Sequence, residues 1–447
     1  MPERAPHGLI RRNYLLGIVN GSLFFLFNAF IDLDVVLPGF AWELTGGHPL
    51  WIGVLVSLIG MGWFWPQLFL APMLATQPRL LPAYRLSAVV RFLGLGAAAL
   101  LAWKADALAP AVALGLIALC YALYSSGGGL SIIPFMTIVS DSVPPNWRGR
   151  FFGARYLIGG LMAFGAGFVV KWLLSEASGH DFPRNYALMF AIGVAIAVPS
   201  MLAFCLVEEP PRAPQRRRMP VLQELRRGLR LAQRNRNFRR LLVTRGLRSL
   251  ALGLTTPFIV PYALDTLGVT AAAVGLFLGA KVLTYSLSNI LWSRVGDQHG
   301  NRRLLLLSAM VSLTSVALLL GVRFLPGTHA VNVAGLSLSW RAVLVCFIFA
   351  GIGFSSSGQE IGYTNFLLEM LEERKRSVYL GFFYLYLAPL CWVPLLGALL
   401  IGDQGRFMLG FWFSTVLTLA MLVYTFRLRE VRDFTALENG QETPGRD

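Results

Sequence analysis

Charge is scarce in this chain of 447 residues. Only 14% of its residues are Asp, Glu, Lys or Arg, against about 25% in a soluble domain, and its mean hydropathy is +0.60. A water-soluble globular protein is thereby excluded. Cysteine is scarce as well: Cys120, Cys205, Cys346 and Cys391 all fall inside apolar runs, spaced neither as a disulfide framework nor as a metal site. The histidines (His7, His48, His180, His299, His329) are scattered, and the chain contains no H-E-x-x-H, G-x-S-x-G or G-x-x-x-x-G-K-[ST] run. Those motifs would supply a zinc site, a nucleophile elbow or a phosphate cradle. The reading is therefore a non-enzyme that needs no cofactor or metal. A cleavable export signal is not expected, because the run behind Arg11 and Arg12 is long, contains Asp32 and Asp34, and has no small-residue cleavage site.

What the chain does have is apolar runs. A membrane-crossing helix needs about 20 mostly apolar residues. That ruler gives spans at 14–38, 50–72, 82–103, 108–138, 149–175 and 184–207, then 240–264, 270–293, 303–323, 341–369, 377–402 and 405–427. Between the two sets of six lies an arginine-loaded stretch, Glu208 to Arg240, with eleven arginines against Glu208, Glu209 and Glu224. Such charge cannot sit in hydrocarbon, where each central Arg costs at least about 2.5–3.5 kcal/mol. Arginine excess marks the cytoplasmic side. Arg79, Arg85, Arg148, Arg150, Arg294, Arg302, Arg303, Arg374, Arg376 and Arg427 fall on that side when both termini are inside. The formal charge of +16 is then a matter of topology, and nucleic acid is not a partner. Within the linker, Leu222, Leu225, Leu229 and Ala232 recur at helical spacing, which predicts an amphipathic helix along the inner headgroup layer.

The expected architecture is an all-α integral membrane protein with twelve transmembrane helices in two pseudo-symmetric six-helix bundles. Residues 1–207 form the first bundle, 208–239 the linker, 240–427 the second bundle and 428–447 a cytoplasmic tail. The halves repeat. Displaced by 228 positions, the separation of Arg148 and Arg376, the loop 140–148 falls on 368–376, Gly153 on Gly381 and Tyr156 on Tyr384. Repeated halves place a substrate site at their shared interface. Gly127-Gly128-Gly129 maps by the same displacement onto Ser355-Ser356-Ser357, which predicts weakened, bending helices in the fourth and tenth spans.

The run Trp292-Ser293-Arg294-Val295-Gly296-Asp297-Gln298-His299-Gly300-Asn301-Arg302-Arg303, between the eighth and ninth spans, resembles the signature loop of the major facilitator superfamily. Arg148 to Gly153 is similar to that superfamily's loop between spans four and five. The resemblance implies that fold and a conformational latch formed by Asp297, Gly300, Arg302, Arg303, Arg148, Glu369 and Arg376. In it, Asp297 would face the start of the eleventh helix near Val378, and the arginines would meet carboxylates such as Glu369. The equivalent first-half loop, 71–79, has neither the aspartate nor the glycine.

Charges at membrane depth are functional candidates. Lys281 lies about eleven residues into the eighth span, ~16 Å down at 1.5 Å per residue, which predicts a place near the midplane. Tyr285 follows it at i+4. Glu360, beside Gln359 and Tyr363 on the tenth span, is the best second-half carboxylate for taking up a proton. Asn28, Asp32 and Asp34 end the first span, and the aspartates fall at its outer mouth. Arg91 and Arg248 could hold an anion or neutralise these carboxylates, and Tyr121 and Tyr124 could line a pocket. Arg155 and Arg245 read as anchors nearer the inner face. The expected function is secondary transport by alternating access, coupled to H+. It leans to efflux of amphipathic, drug-like compounds, with an importer or uncoupled facilitator of a small polar or anionic metabolite as the alternative. A non-transporting receptor or scaffold is the alternative from another class. Lipid, a small-molecule substrate and H+ are the expected partners of a monomeric, multi-pass protein of the inner or plasma membrane.

Overall fold

The computed structural model describes residues 7–74, 77–210, 221–333, 336–370 and 376–430. The first half runs α1 (His7–Ala29), α2 (Val36–Leu44), α3 (Pro49–Leu74), α4 (Leu81–Trp103), α5 (Pro110–Ser142), α6 (Pro145–Leu173) and α7 (Arg184–Cys205). A linker helix α8 (Val221–Arg234) leads to α9 (Arg236–Thr255), α10 (Ile259–Asp265), α11 (Ala273–His299) and α12 (Asn301–Gly321). A short antiparallel hairpin of β1 (His329–Val333) and β2 (Leu336–Ser339) follows. Last come α13 (Trp340–Glu369), α14 (Arg376–Leu387), α15 (Val393–Ile401) and α16 (Phe407–Phe426). Apart from that hairpin, which sequence periodicity did not predict, the described fold is all-α.

Eleven helical stretches among the described residues are long and apolar enough to cross a membrane. The first expected span, 14–38, falls on α1 and α2 and is not among the eleven. Asn13, Asn20 and Asn28 dilute its apolar run. The face that carries the linker is called the linker face below, and the opposite one the distal face.

Local chemistry starts and stops these helices. Asn235 caps α9, its side chain accepting from the Asn237 and Phe238 amides at 3.0 Å each. Ser339 does the same for α13 through the Ala342 amide at 3.3 Å. Prolines open α4, α5 and α6, where a missing N–H costs nothing.

Neither of the helices expected to be weakened is broken at the expected place. α5 runs unbroken through Gly127, Gly128, Gly129 and Pro134, and α13 runs unbroken through Ser355 to Ser357. The glycines serve packing: a methyl on Gly129 would meet the Trp63 carbonyl and one on Gly127 the Arg91 side chain. Close helix approach offsets the helix cost of glycine, about 1 kcal/mol. The breaks fall instead between α1 and α2, at 30–35, and between α9 and α10, where Thr256–Phe258 forms a 3-10 turn. These are equivalent places in the two halves. A further 3-10 segment, Ala388–Trp392, divides α14 from α15.

The bundles meet along α6 with α11 and along α3 with α15. Toward the distal end Gly167 and Gly275 bring the α6 and α11 backbones together, and a Cβ on Gly275 would collide with the Gly167 carbonyl and the Lys171 backbone. The linker helix does not simply float at the surface. Gly228 abuts the Phe382 ring, and Ala232 is buried with Phe238, Tyr379 and Phe382. Leu229 is about half exposed, and the side chains of Leu222 and Leu225 lie outside the described residues.

Candidate functional site

Lys281 joins the two bundles by its charge. Its Nζ lies 2.9 Å from both carboxylate oxygens of Asp32 and 2.5 Å from Asp34 Oδ2. The break in the first span creates the acceptor. The Asp34 amide donates to Asp32 Oδ1 at 3.0 Å, while the Val36 and Leu37 amides donate to the Asp32 carbonyl and start α2. Both carboxylates are thereby turned toward α11. Lys281 and Asp32 keep only 16% side-chain exposure. Lys281 sits eight residues into α11, ~12 Å from its distal end, so it lies nearer the distal face than the midplane placement expected from sequence. The reason is local: α11 begins at Ala273 and continues to His299, six residues past the predicted end of the span.

Directly beneath this clamp is a cavity of about 150 Å³ lined by Phe25, Asn28, Asp32, Lys281, Tyr285 and Ser286. Phe25 also borders a larger cavity, about 220 Å³, whose polar lining comes from Asn20, Tyr84, Arg91, Ser131, Arg155 and Tyr156. Its apolar wall includes Phe24, Trp63, Phe135 and Phe152.

Four arginines gather at one level. Arg91 on α4, Arg155 on α6, and Arg245 and Arg248 on α9 lie nine to twelve residues from the linker-face ends of their helices, ~14–18 Å. Glu360 on α13 lies nine residues from its own linker-face end. Arg91 is 4% exposed. One guanidinium nitrogen donates to the Tyr124 hydroxyl at 3.3 Å, its Nε has no partner, and its charge sits 5.1–5.7 Å from the Phe24, Phe27 and Tyr124 rings. Tyr124 in turn donates to Asn28 Oδ1 at 3.2 Å. Arg155 donates to the Gly17 carbonyl at 2.6 Å and to Asn20 Oδ1 at 3.3 Å, over the Phe135 and Phe151 rings. Neither Arg91 nor Arg155 has a carboxylate within ion-pair distance among the described residues.

Arg248 donates to Gln359, which is itself fixed to the Ser308 carbonyl at 3.3 Å. Glu360 pairs with Arg245 at 3.8 Å and is 57% exposed. Thus Arg248 neutralises none of the three carboxylates, and Arg245, read from sequence as an anchor, takes that part. Tyr363 lies under Arg245 at 5.4 Å. Glu360 is within electrostatic reach of Tyr156, Tyr285 and Tyr384. Tyr156 therefore connects the Arg155 wall with the Glu360 wall across the bundle interface. Tyr121 is buried against Tyr124 and Phe190 and lines neither cavity; it packs the first bundle.

Of the residues expected to latch the linker face, Gly300, Arg302 and Arg148 make contacts within single bundles. Gly300 has φ +83°, and a Cβ there would strike the Glu430 carboxylate. That carboxylate accepts from the Arg302 amide at 2.8 Å, and the Arg302 guanidinium reaches the Phe426 carbonyl at 2.9 Å. So Arg302 ties α12 to the end of α16. Arg303 is exposed. Arg148 binds the Ser140 and Val143 carbonyls of its own loop at 2.6 and 3.1 Å. Asp297 and Glu369 stand exposed at the linker-face ends of α11 and α13. The expected contact of Asp297 near Val378, and the part given to Arg376, involve side chains outside the described residues. Glu430 and its counterpart Glu209 were missed: a single carboxylate past the end of an apolar run carries no motif.

Residues 241–444 match the sequence model of the Major Facilitator Superfamily. No curated protein matches. Among solved structures, the nucleoside transporter NupG in a mutant form aligns with a TM-score of 0.69 at 15% identity, over 92% of this chain and 99% of that one. A D-xylose-proton symporter aligns at 0.68 and 15%, over 95% and 99%. A bacterial homologue of the iron transporter ferroportin, inward-facing, aligns at 0.67 and 14%, again over 95% and 99%. The same homologue facing outward scores 0.61. At such identities the likeness establishes the fold.

Proposed function

We propose, from the fold shared along its length and the sequence match over its second half, that the chain is a major facilitator superfamily protein that carries a small polar or anionic molecule by alternating access, coupled to protons through Glu360. The observation that carries this reading is the Lys281–Asp32–Asp34 clamp, a charge bridge between bundles directly above a cavity. Breaking it uncovers an unpaired ammonium and two carboxylates, so the distal side opens only when water can replace the contact. The glycine contact of α6 and α11 reinforces closure on the same side.

Glu360 supplies the coupling. It pairs with Arg245, lies within electrostatic reach of Arg248, Tyr156, Tyr285 and Tyr384, and is more exposed than Asp32 or Asp34. While ionised it occupies Arg245. A proton on Glu360 cancels that pair and leaves Arg245 as one more positive charge in the interior, which the entry of an anion offsets, so proton and substrate move in the same direction. This favours uptake on an inward proton gradient over the efflux expected from sequence. Asp32 and Asp34 belong to the gate rather than the proton path. The membrane is the inner or plasma membrane, with the arginine-rich linker face cytoplasmic.

Electron–electron distance measurements test the gate without a known substrate. Spin labels at Ala107 and Phe324 report the distal face, and labels at Asn146 and Gln298 the linker face. Lys281→Met should lengthen the first distance and shorten the second. Distances equal to those of the unsubstituted protein would remove the clamp from the mechanism.

A further inference from the structure

Resting on the transporter reading, we infer that the 220 Å³ cavity in the first bundle is the recognition subsite, and that its ligand is an aromatic or otherwise strongly apolar organic acid whose anionic head sits between Arg91 and Arg155. Two cations are buried together there, 4% and 8% exposed, with no carboxylate to neutralise them among the described residues. An uncompensated buried charge costs several kcal/mol; even in the lower translocon scale an Arg at membrane depth costs about 2.5–3.5 kcal/mol. Neutral partners soften this cost: Tyr124, Asn20, the Gly17 carbonyl and four aromatic rings hold the two guanidinium groups in place. None of them cancels the charge. An arriving anion would.

The donors are preorganised for one. Arg91 Nε is buried with no acceptor. The Tyr84 hydroxyl accepts from Asn20 Nδ2 at 3.3 Å, which leaves its own proton to donate. Tyr84 stands within electrostatic reach of both arginines. A carboxylate, sulfonate or phosphate oxygen pair matches guanidinium geometry better than an ammonium would allow, because the fork is planar and bidentate. The rest of the lining then sets the body of the ligand. Phe24, Phe25, Trp63, Phe135 and Phe152 make the rest of the lining mostly apolar, as apolar ligand bodies require. A sugar would leave its hydroxyls unsatisfied against such walls.

Arg91 and Arg155 are thus recognition residues, distinct from Arg245, whose partner is Glu360. This separation makes the proposal testable apart from gating and coupling. Purified protein at constant pH, with no gradient, would be titrated calorimetrically with benzoate, 1-naphthoate and phenyl phosphate. Each would be paired with a neutral analogue: benzamide, 1-naphthamide and phenol. Saturable binding is expected for the acids, tightest for 1-naphthoate or phenyl phosphate, and at least tenfold weaker for every neutral analogue. Arg91→Gln and Arg155→Gln should each weaken acid binding at least tenfold and leave the distal and linker spin-label distances unchanged, while Arg91→Lys should recover part of the loss. Because the acid–neutral comparison needs only the unsubstituted protein, misfolding of a variant does not protect the idea. Equal affinity for acid and neutral partners, no saturable binding by any acid, or full affinity in the folded glutamine variants would each overturn it. A failed gate with selective acid binding would instead fault the alternating-access reading alone.

Discussion

Glu209 and Glu430 are counterparts in the two halves. Each lies just beyond the last helix of its bundle and places its carboxylate on the first amides of the bundle's third long helix, α4 or α12. Glu209 accepts from the Leu80 and Leu81 amides at 2.7–2.8 Å, and Glu430 from the Arg302 amide at 2.8 Å. Beside each runs a reciprocal asparagine pair, Asn13 with the Glu208 backbone and Asn237 with the Arg429 backbone, at 2.9–3.1 Å. A negative charge at a helix start meets both the unsatisfied N–H groups and the positive dipole end.

Each cap should therefore contribute about 1–2 kcal/mol to its own bundle. Glu209→Gln and Glu430→Gln should lower the melting temperature of the purified protein by on the order of a few degrees, each by a similar amount. Gly300→Ala should cost more than Glu430→Gln, since it adds positive-φ strain to the lost cap. A thiol-reactive melting assay, which uses the native cysteines, would show it; an unchanged melting point in both glutamine variants would refute the shared role.

The three charges of the clamp are unequal. Asp32 gives Lys281 two contacts and is the less exposed; Asp34 gives one and is 34% exposed. Distal opening should rank Lys281→Met above Asp32→Asn above Asp34→Asn. Removing the lysine strands two like charges, a loss of about 3–5 kcal/mol for a buried pair, whereas Asp34→Asn leaves a neutral one-to-one pair. The Ala107–Phe324 spin-label distance gives the order, and a reversed ranking would contradict the geometry.

Gly275 offers a steric test of the same closure. Any side chain there meets backbone atoms of Gly167 and Lys171, which cannot swing away. Gly275→Val should open the distal face with Lys281 intact. Combined with Lys281→Met, the two should couple rather than add, as both act on one interface. Wild-type distal distances in Gly275→Val would show that this contact is not needed for closure.

Proton coupling makes a directional prediction. In proteoliposomes, acid outside should drive accumulation of labelled 1-naphthoate, and Glu360→Gln should abolish the gradient dependence while retaining exchange at equal pH. Accumulation driven only by an alkaline exterior would mean antiport and would sink the uptake reading.

Sequence made much of this fold legible because bilayer physics leaves few options. The apolar runs around Arg212 to Arg240 had to be helices, and the match of 140–148 with 368–376 exposed the repeat. The candidate site was only half legible. Asp32, Asp34 and Lys281 stood out as buried charges, yet nothing in a one-dimensional string pairs positions separated by 249 residues. Arg155 and Arg245 looked like anchors because depth was counted from assumed span ends, and a shift of a few residues moves a side chain by ~5 Å. The glycine run of α5 reads locally as a weak point, and its packing against Trp63 and Arg91 is visible only in three dimensions.

By itself the sequence determined that this is a multi-pass helical membrane protein made of two related halves with an arginine-rich connection, because desolvation of peptide groups and charges acts residue by residue. Only the tertiary structure decided which charges pair, which are left over and where the helices break. Those outcomes depend on distances between helices remote in sequence: Lys281 has Asp32 and Asp34 within ion-pair reach, while Arg91 and Arg155 have no carboxylate so close among the described residues.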